Sequence, residues 1–144
     1  MKVDLLVLVA LCILGVFREV IGDMCGGNCA TNDCPSCPCG TTMRYANITN
    51  VCAQYGGWSF ECCACMVSLE SGGDLNAANY NHSSRTYDVG LWQINQNNWP
   101  SCNGGSAPCK EVENLQCAIK QFQSGGNTWK GWSTCAECEC CIRR

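Results

Sequence analysis

The chain has 144 residues, enough for one domain with a real core, and carries 17 cysteines and a formal net charge of −3. That acidic balance excludes electrostatic capture of anionic polymers at neutral pH, so neither nucleic-acid binding nor a cationic membrane-disrupting role is expected. The cysteine content excludes an ordinary cytosolic protein.

At the N-terminus, Met1-Lys2 lead into an apolar run from Leu5 to Phe17. It is too short to span a bilayer comfortably and suits the core of a signal peptide. Small Gly22 fits the residue before a cleavage point near Asp23, so residues 1–22 are read as a signal peptide and no membrane anchor is expected. Cleavage would remove Cys12 and two charges of each sign, leaving 16 cysteines and the net charge unchanged at −3. An even count in an oxidising compartment predicts up to eight disulfides. Zinc is the alternative: Cys34-Pro35-Ser36-Cys37-Pro38-Cys39 contains a CxxC that Cys138, Cys140 and Cys141 would complete. Yet His82 is the only histidine and secretion favours bridges over thiolate ligands, so neither metal nor cofactor is expected.

Cys25, Cys29, Cys34, Cys37 and Cys39 are separated by Gly, Asn, Pro and Thr, with almost nothing large and apolar between them. Such a segment builds no core of its own. Residues 23–42 are read as a cysteine-rich extension pinned to the main body, or alternatively as a separate binding module, with a soft boundary near Gly40. Residues 43–144 form the main domain. From Met43 to Tyr55, apolar residues at mixed three and four spacings predict a short helix, stopped by Gly56-Gly57. Asn47-Ile48-Thr49 and Asn81-His82-Ser83 are glycosylation sequons in a secreted chain.

The next helix is better marked. Ser59 is its N-cap, Glu61 lies in the first turn, Phe60, Cys63, Ala64, Val67 and Glu70 recur at helical spacing, and Ser71-Gly72-Gly73 ends it. Glu70 then stands where unpaired carbonyls disfavour a carboxylate, which raises its pKa, and apolar neighbours push the same way by desolvation. Residues 74–98 are polar and turn-rich, and Thr86 to Ile94 has the composition of short strands in a small hairpin sheet. Within it lies Asp88. Two carboxyls in different surroundings hold different protonation states at one pH, the condition that glycosidic cleavage by paired carboxyls requires. The surrounding asparagines offer the donors and acceptors that sugar hydroxyls and N-acetyl groups need, although asparagine is also a turn former. Downstream, Val112, Leu115, Ile119 and Phe122 mark the core face of a helix that ends before Gly125-Gly126. Trp129 and Trp132 follow, and the tail from Cys135 to Cys141 is stapled rather than packed.

Glu70-Ser71, the run Asn76, Asn79, Asn81, the motif Thr86-x-Asp88-x-Gly90-Leu91-x-Gln93-Ile94-Asn95 with Trp99, Asn114-Leu115-Gln116-Cys117-Ala118, and Trp129-x-x-Trp132-x-x-Cys135 together resemble the animal-type (c-type) lysozymes. The resemblance covers residues 43–135 and extends more distantly to the wider lysozyme-like superfamily, which includes lytic transglycosylases. It implies an α+β fold, a mainly helical lobe and a small antiparallel β-hairpin lobe with a cleft between them. It implies Glu70 as general acid and then base, Asp88 as nucleophile or electrostatic stabiliser, and a retaining outcome. Trp129 resembles the tryptophan that dries the glutamate's pocket, and Asn81, Gln93, Asn95 and Trp99 resemble glycan-contacting residues. Cys65 with Cys135 resembles one family disulfide, Cys117 is expected to pair with Cys102 or Cys109, and Cys52 with the C-terminal cluster. Invertebrate-type lysozymes share the cysteine richness, but the Asp88 hairpin favours the c-type pattern.

The implied activity is that of a monomeric muramidase, secreted or in a lysosomal or phagosomal lumen, hydrolysing peptidoglycan of the bacterial cell wall for defence or digestion. Chitin oligosaccharides are a further implied partner. The alternatives are a lytic transglycosylase, which needs only the glutamate, and a non-catalytic glycan-binding relative. A disulfide-rich toxin explains the cysteines but not the order of motifs from Glu70 to Trp132. An acidic optimum is expected, because Glu70 must stay protonated while Asp88 is ionised.

Overall fold

The computed structural model describes residues 24–143; the expected signal peptide lies outside them. Among these residues the elements are α1 (Ile48–Cys52), α2 (Phe60–Ser71), β1 (Ala78–Asn81), β2 (Thr86–Val89), β3 (Ile94–Asn95), α3 (Trp99–Asn103) and α4 (Glu111–Ser124), with 3-10 turns at Gln96–Asn98 and Ser133–Cys135. The result is the disulfide-rich α+β architecture that the resemblance implies.

Helix α2 begins and ends as its sequence directs. The Ser59 hydroxyl accepts from Cys62 N at 3.2 Å, and Gly72 adopts the left-handed conformation that closes the helix. Cys62, Cys63, Met66 and Val67 form its buried stripe. The helix expected over residues 43–55 is much shorter, covering only Ile48–Cys52. Its first residues are drawn into extended pairing instead: Ala46 N donates to Gly73 O, Leu75 N to Arg44 O, and Tyr45 bridges Asp74. Tertiary hydrogen bonds override a helical pattern there. Val112 does not belong to the core face of α4, since it is 54% exposed; Leu115, Ala118 and Phe122 carry that face.

The sheet has the order β1-β2-β3, antiparallel throughout, with Asn79 and Asn95 directly opposite Asp88 on its two flanking strands. Residues opposite one another point to the same face. Asp88 therefore sits in the middle of an Asn-Asp-Asn row. Buried Asn114 docks α4 onto the end of this sheet, donating from Nδ2 to Val89 O and Pro108 O and accepting from Trp92 N. Gly90 is obligatory at this joint: it has φ +78°, and a Cβ there would lie 2.1 Å from Asn114 Nδ2. Behind the sheet, Trp58 is packed by Trp92, Phe122 and Trp129 at ring-centroid distances of 5.0 to 5.7 Å, forming the aromatic centre of the core.

The 16 cysteines among the described residues pair into eight disulfides, leaving no thiolate for the zinc alternative. Cys117 takes Cys102 of the two partners expected for it, and Cys109 pairs with Cys39. Two expected pairings are corrected. Cys65 bonds Cys138 rather than Cys135, which closes a small loop with Cys141, and Cys52 bonds Cys63 on the adjacent helix rather than the tail. The physical reason is the tail, which doubles back through a turn at 136–139 and carries Cys138 past Cys135 to α2.

Candidate active site

A cleft of about 610 Å³ separates the end of α2 from the sheet, and both Glu70 and Asp88 line it. Glu70 comes from the last turn of α2, half-buried, and its Oε1 accepts a hydrogen bond from Thr134 Oγ1. Burial holds its pKa above the ordinary glutamate value; the Thr134 hydroxyl opposes this, and the charges of Asp88 and Glu137 add to it. The rise expected from the sequence is present. Its leading cause is desolvation.

Asp88 is also half-buried, and its pKa too is pushed above the usual aspartate value by burial. The hydrogen bond that Asn95 Nδ2 donates to Asp88 Oδ1 at 2.8 Å works in the other direction by favouring the anion. The same Asn95 nitrogen lies 3.1 Å from Thr86 Oγ1, which locks the amide in place. Burial thus raises both carboxyls and one hydrogen-bond donor opposes the rise in each, while neighbouring carboxyl charges add to it at Glu70 alone. Unlike settings of this kind are what a neutral acid beside a carboxylate requires.

Of the other residues selected from sequence, Gln93 and Asn95 line the cleft. Gln93 has φ +46° and donates from Nε2 to Gly90 O and Ala77 O, so its amide nitrogen holds the turn between β2 and β3. Trp129, Trp99 and Asn81 do not line it. Trp129 is 0% exposed and lies behind Trp132, ring centroids 5.1 Å apart. Trp99 is buried, with Nε1 donating to Ile94 O, and braces the junction of β3 and α3. Asn81 caps the hairpin turn, its Oδ1 accepting from Ser83 N and Ser84 N.

Four side chains to which sequence reasoning assigned no role stand at the site: Trp132, Thr134, Asn79 and Ser71. Trp132 forms the apolar wall, fixed by Nε1 donating to Trp92 O at 2.8 Å. Its place three residues after Trp129 on one turn was the available signal. Thr134 is adjacent to Cys135 in sequence, and nothing there indicates that it reaches α2. Asn79 enters through its register opposite Asp88. Ser71 Oγ donates to Leu91 O at 2.9 Å and so ties the end of Glu70's helix to the sheet across the base of the cleft.

Residues 46–134 match the family model described as a lysozyme like domain. A putative lysozyme C-2 of Rattus norvegicus is 40% identical over 97 residues, 56% of this chain and 64% of that protein. Lysozyme C of Camelus dromedarius is 41% identical over 100 residues, 58% of this chain and 75% of the relative. An alpha-lactalbumin of Ornithorhynchus anatinus is 31% identical over 96 residues, 54% and 75% of the two chains. The chain thus spans somewhat less than two thirds of the rat relative's length. No solved structure matches it.

Proposed function

The chain belongs to the lysozyme-like family, and on that premise we propose that it is a muramidase. It hydrolyses the β-1,4 bond between N-acetylmuramic acid and N-acetylglucosamine in peptidoglycan. The observation that carries this reading is one cleft bearing two half-buried carboxyls in unlike settings, Glu70 under a threonine hydroxyl and Asp88 under an asparagine amide.

In this reading neutral Glu70 donates its proton to the glycosidic oxygen as the bond to C1 breaks. Ionised Asp88 then stabilises or bonds the oxocarbenium-like centre, and the Glu70 carboxylate next takes a proton from the attacking water. Asn79, Gln93 and Asn95 offer amides to the sugar's hydroxyl and N-acetyl groups, and Trp132 supplies an apolar face. Peptidoglycan of the bacterial wall is the proposed partner, with chitin oligosaccharides as a second. Eight disulfides suit a secreted protein, and among the described residues no helix is long and apolar enough to cross a membrane. A signal peptide at 1–22, an extension at 23–42 and a catalytic domain at 43–144, acting as a monomer outside the cell or in a lysosomal lumen, complete the proposal.

The test is clearing of bacterial walls across pH by the unmodified protein, Glu70→Gln and Asp88→Asn, with mass analysis of the products. Activity on the acidic side of neutrality, a loss of about 10²- to 10⁴-fold in Glu70→Gln and reducing-end products are expected. Equal clearing by Glu70→Gln at every pH removes Glu70 from the chemistry. Anhydro-muramic ends would point to transglycosylation, and wall binding without clearing to a non-catalytic relative.

A further inference from the structure

The cysteine-rich segment does not sit apart from the cleft. Gly27, Asn28 and Ala30 line it together with Met43 and Tyr45, which follow directly after the segment. The attachment is rigid. Cys29 pairs in parallel with Ala78 on the outer edge of β1, Ala78 N donates to Asn28 O at 2.8 Å, and Asn28 Nδ2 donates to Gly40 O at 2.8 Å. Cys25–Cys37 and Cys29–Cys34 close the segment on itself, and Cys39–Cys109 fastens it to the loop before α4. The cleft therefore continues past the sheet on its β1 edge, opposite the edge where β3 leads to Asn98.

On this added wall Tyr45 is 69% exposed although its backbone is fixed on both sides. Arg44 N donates to Asp74 Oδ1 at 3.0 Å, Ala46 N donates to Gly73 O at 2.9 Å, and the buried Asp74 is the bridge partner of Tyr45. Tyr45 Oη donates to Met43 Sδ at 3.2 Å, and the Met43 methyl occupies the place that a Cβ on Gly27 would take, 1.9 Å away. An aromatic side chain on a fixed backbone, its hydroxyl tied to a thioether and its ring open to water, has few conformations to give up on meeting a ligand. Its flat face fits the axial C–H face of a pyranose.

We infer that the cysteine-rich segment completes a distal sugar subsite, in which Tyr45, on its Met43 and Gly27 backing, stacks on an N-acetylhexosamine unit of the glycan whose bond is cut beside Glu70. This rests on the glycan-cleaving reading, and it makes the segment part of the substrate cleft rather than a separate module. The consequence is a preference for long glycan chains over short ones.

The experiment compares the unmodified protein, Tyr45→Ala and Tyr45→Phe on N-acetylglucosamine trimer and hexamer, by titration calorimetry and by product mapping. Tyr45 is exposed, so its variants keep the fold, which thermal unfolding verifies. Tyr45→Ala is expected to lower hexamer affinity about tenfold more than trimer affinity and to shift the cleavage register, with Tyr45→Phe retaining the length preference. Equal length preference in Tyr45→Ala and the unmodified protein overturns the subsite while leaving the glycan reading in place. If the unmodified protein neither binds hexamer nor clears walls, both fall together.

Discussion

The two walls of the cleft are held by different forces. Behind Glu70, three disulfides converge on α2 and the tail: Cys62–Cys140 and Cys65–Cys138 close loops of 78 and 73 residues, and Cys135–Cys141 pinches the turn that presents Thr134. The sheet that carries Asp88 contains no cysteine from Gly72 to Ser101; sheet register, Asn95 and the docking by Asn114 place it, and disulfides reach it only through the segment paired to its β1 edge. In the proposed mechanism, covalent closure places the group that needs a dry, fixed setting, while hydrogen bonds place the group that must remain ionisable and in contact with polar ligand. Each wall should therefore fail in its own way.

The largest difference is chemical. Glu70→Gln is expected to remove about 10²- to 10⁴-fold of kcat/KM in wall clearing, while its fold gains stability at neutral pH. Glu70's folded pKa lies above its unfolded value, so its contribution to stability is complete below the ordinary glutamate range and lost as pH rises through the raised value. Denaturant unfolding at two pH values checks this: the variant's advantage should appear at pH 7 and vanish at pH 3. Next in size is the double change Cys65→Ser with Cys138→Ser, expected to cost about 2–5 kcal/mol because it reopens a long loop. An unfolding midpoint unmoved by that change would show that the tail is held without the bridge.

The same contrast separates what was legible in the sequence. Ser59, Glu61 and Gly72 fixed the ends of α2 because caps and stops act within a few residues, and the hairpin around Asp88 showed itself in local composition. Pairing of Cys65 with Cys138 was not legible, because Cys135, Cys138, Cys140 and Cys141 stand equally near in sequence and only the fold of the tail chooses among them. For the same reason Trp129 and Trp132 exchanged parts. Both lie on one turn, and it is the hydrogen bond from Trp132 to Trp92 O that decides which indole faces the cleft. The segment from Met43 to Ala46 had a helical pattern, but its backbone found partners in the chain just after α2. That long-range pairing also hid Tyr45's place in the cleft.

Thr134→Val sharpens the comparison on the Glu70 wall. The hydroxyl favours the carboxylate, so its loss should raise the Glu70 pKa further and move the alkaline limb of the pH–activity profile upward. Loss of a hydrogen bond to a charged group should also lower stability at pH 7 by about 1.5 kcal/mol, read from denaturant unfolding. A fixed alkaline limb would mean that another group supplies the proton.

Asn95→Ala makes the matching change on the other wall, and its effects are expected to be the smallest. It removes the donor that favours ionised Asp88, so burial acts unopposed and the Asp88 pKa rises. Because the proposed mechanism needs an ionised aspartate, the acid limb of the profile should move upward while the alkaline limb, assigned to Glu70, stays in place, and the active range narrows from below. The stability cost should be about 1 kcal/mol, since water in the half-open sheet replaces part of the lost bonding. The sign for folding follows from the same shift. A raised carboxyl withdraws stability as pH rises through its folded value, so the deficit of Asn95→Ala should be larger at pH 7 than at pH 3. If instead the alkaline limb moved and the acid limb did not, the roles assigned to the two carboxyls would have to be exchanged.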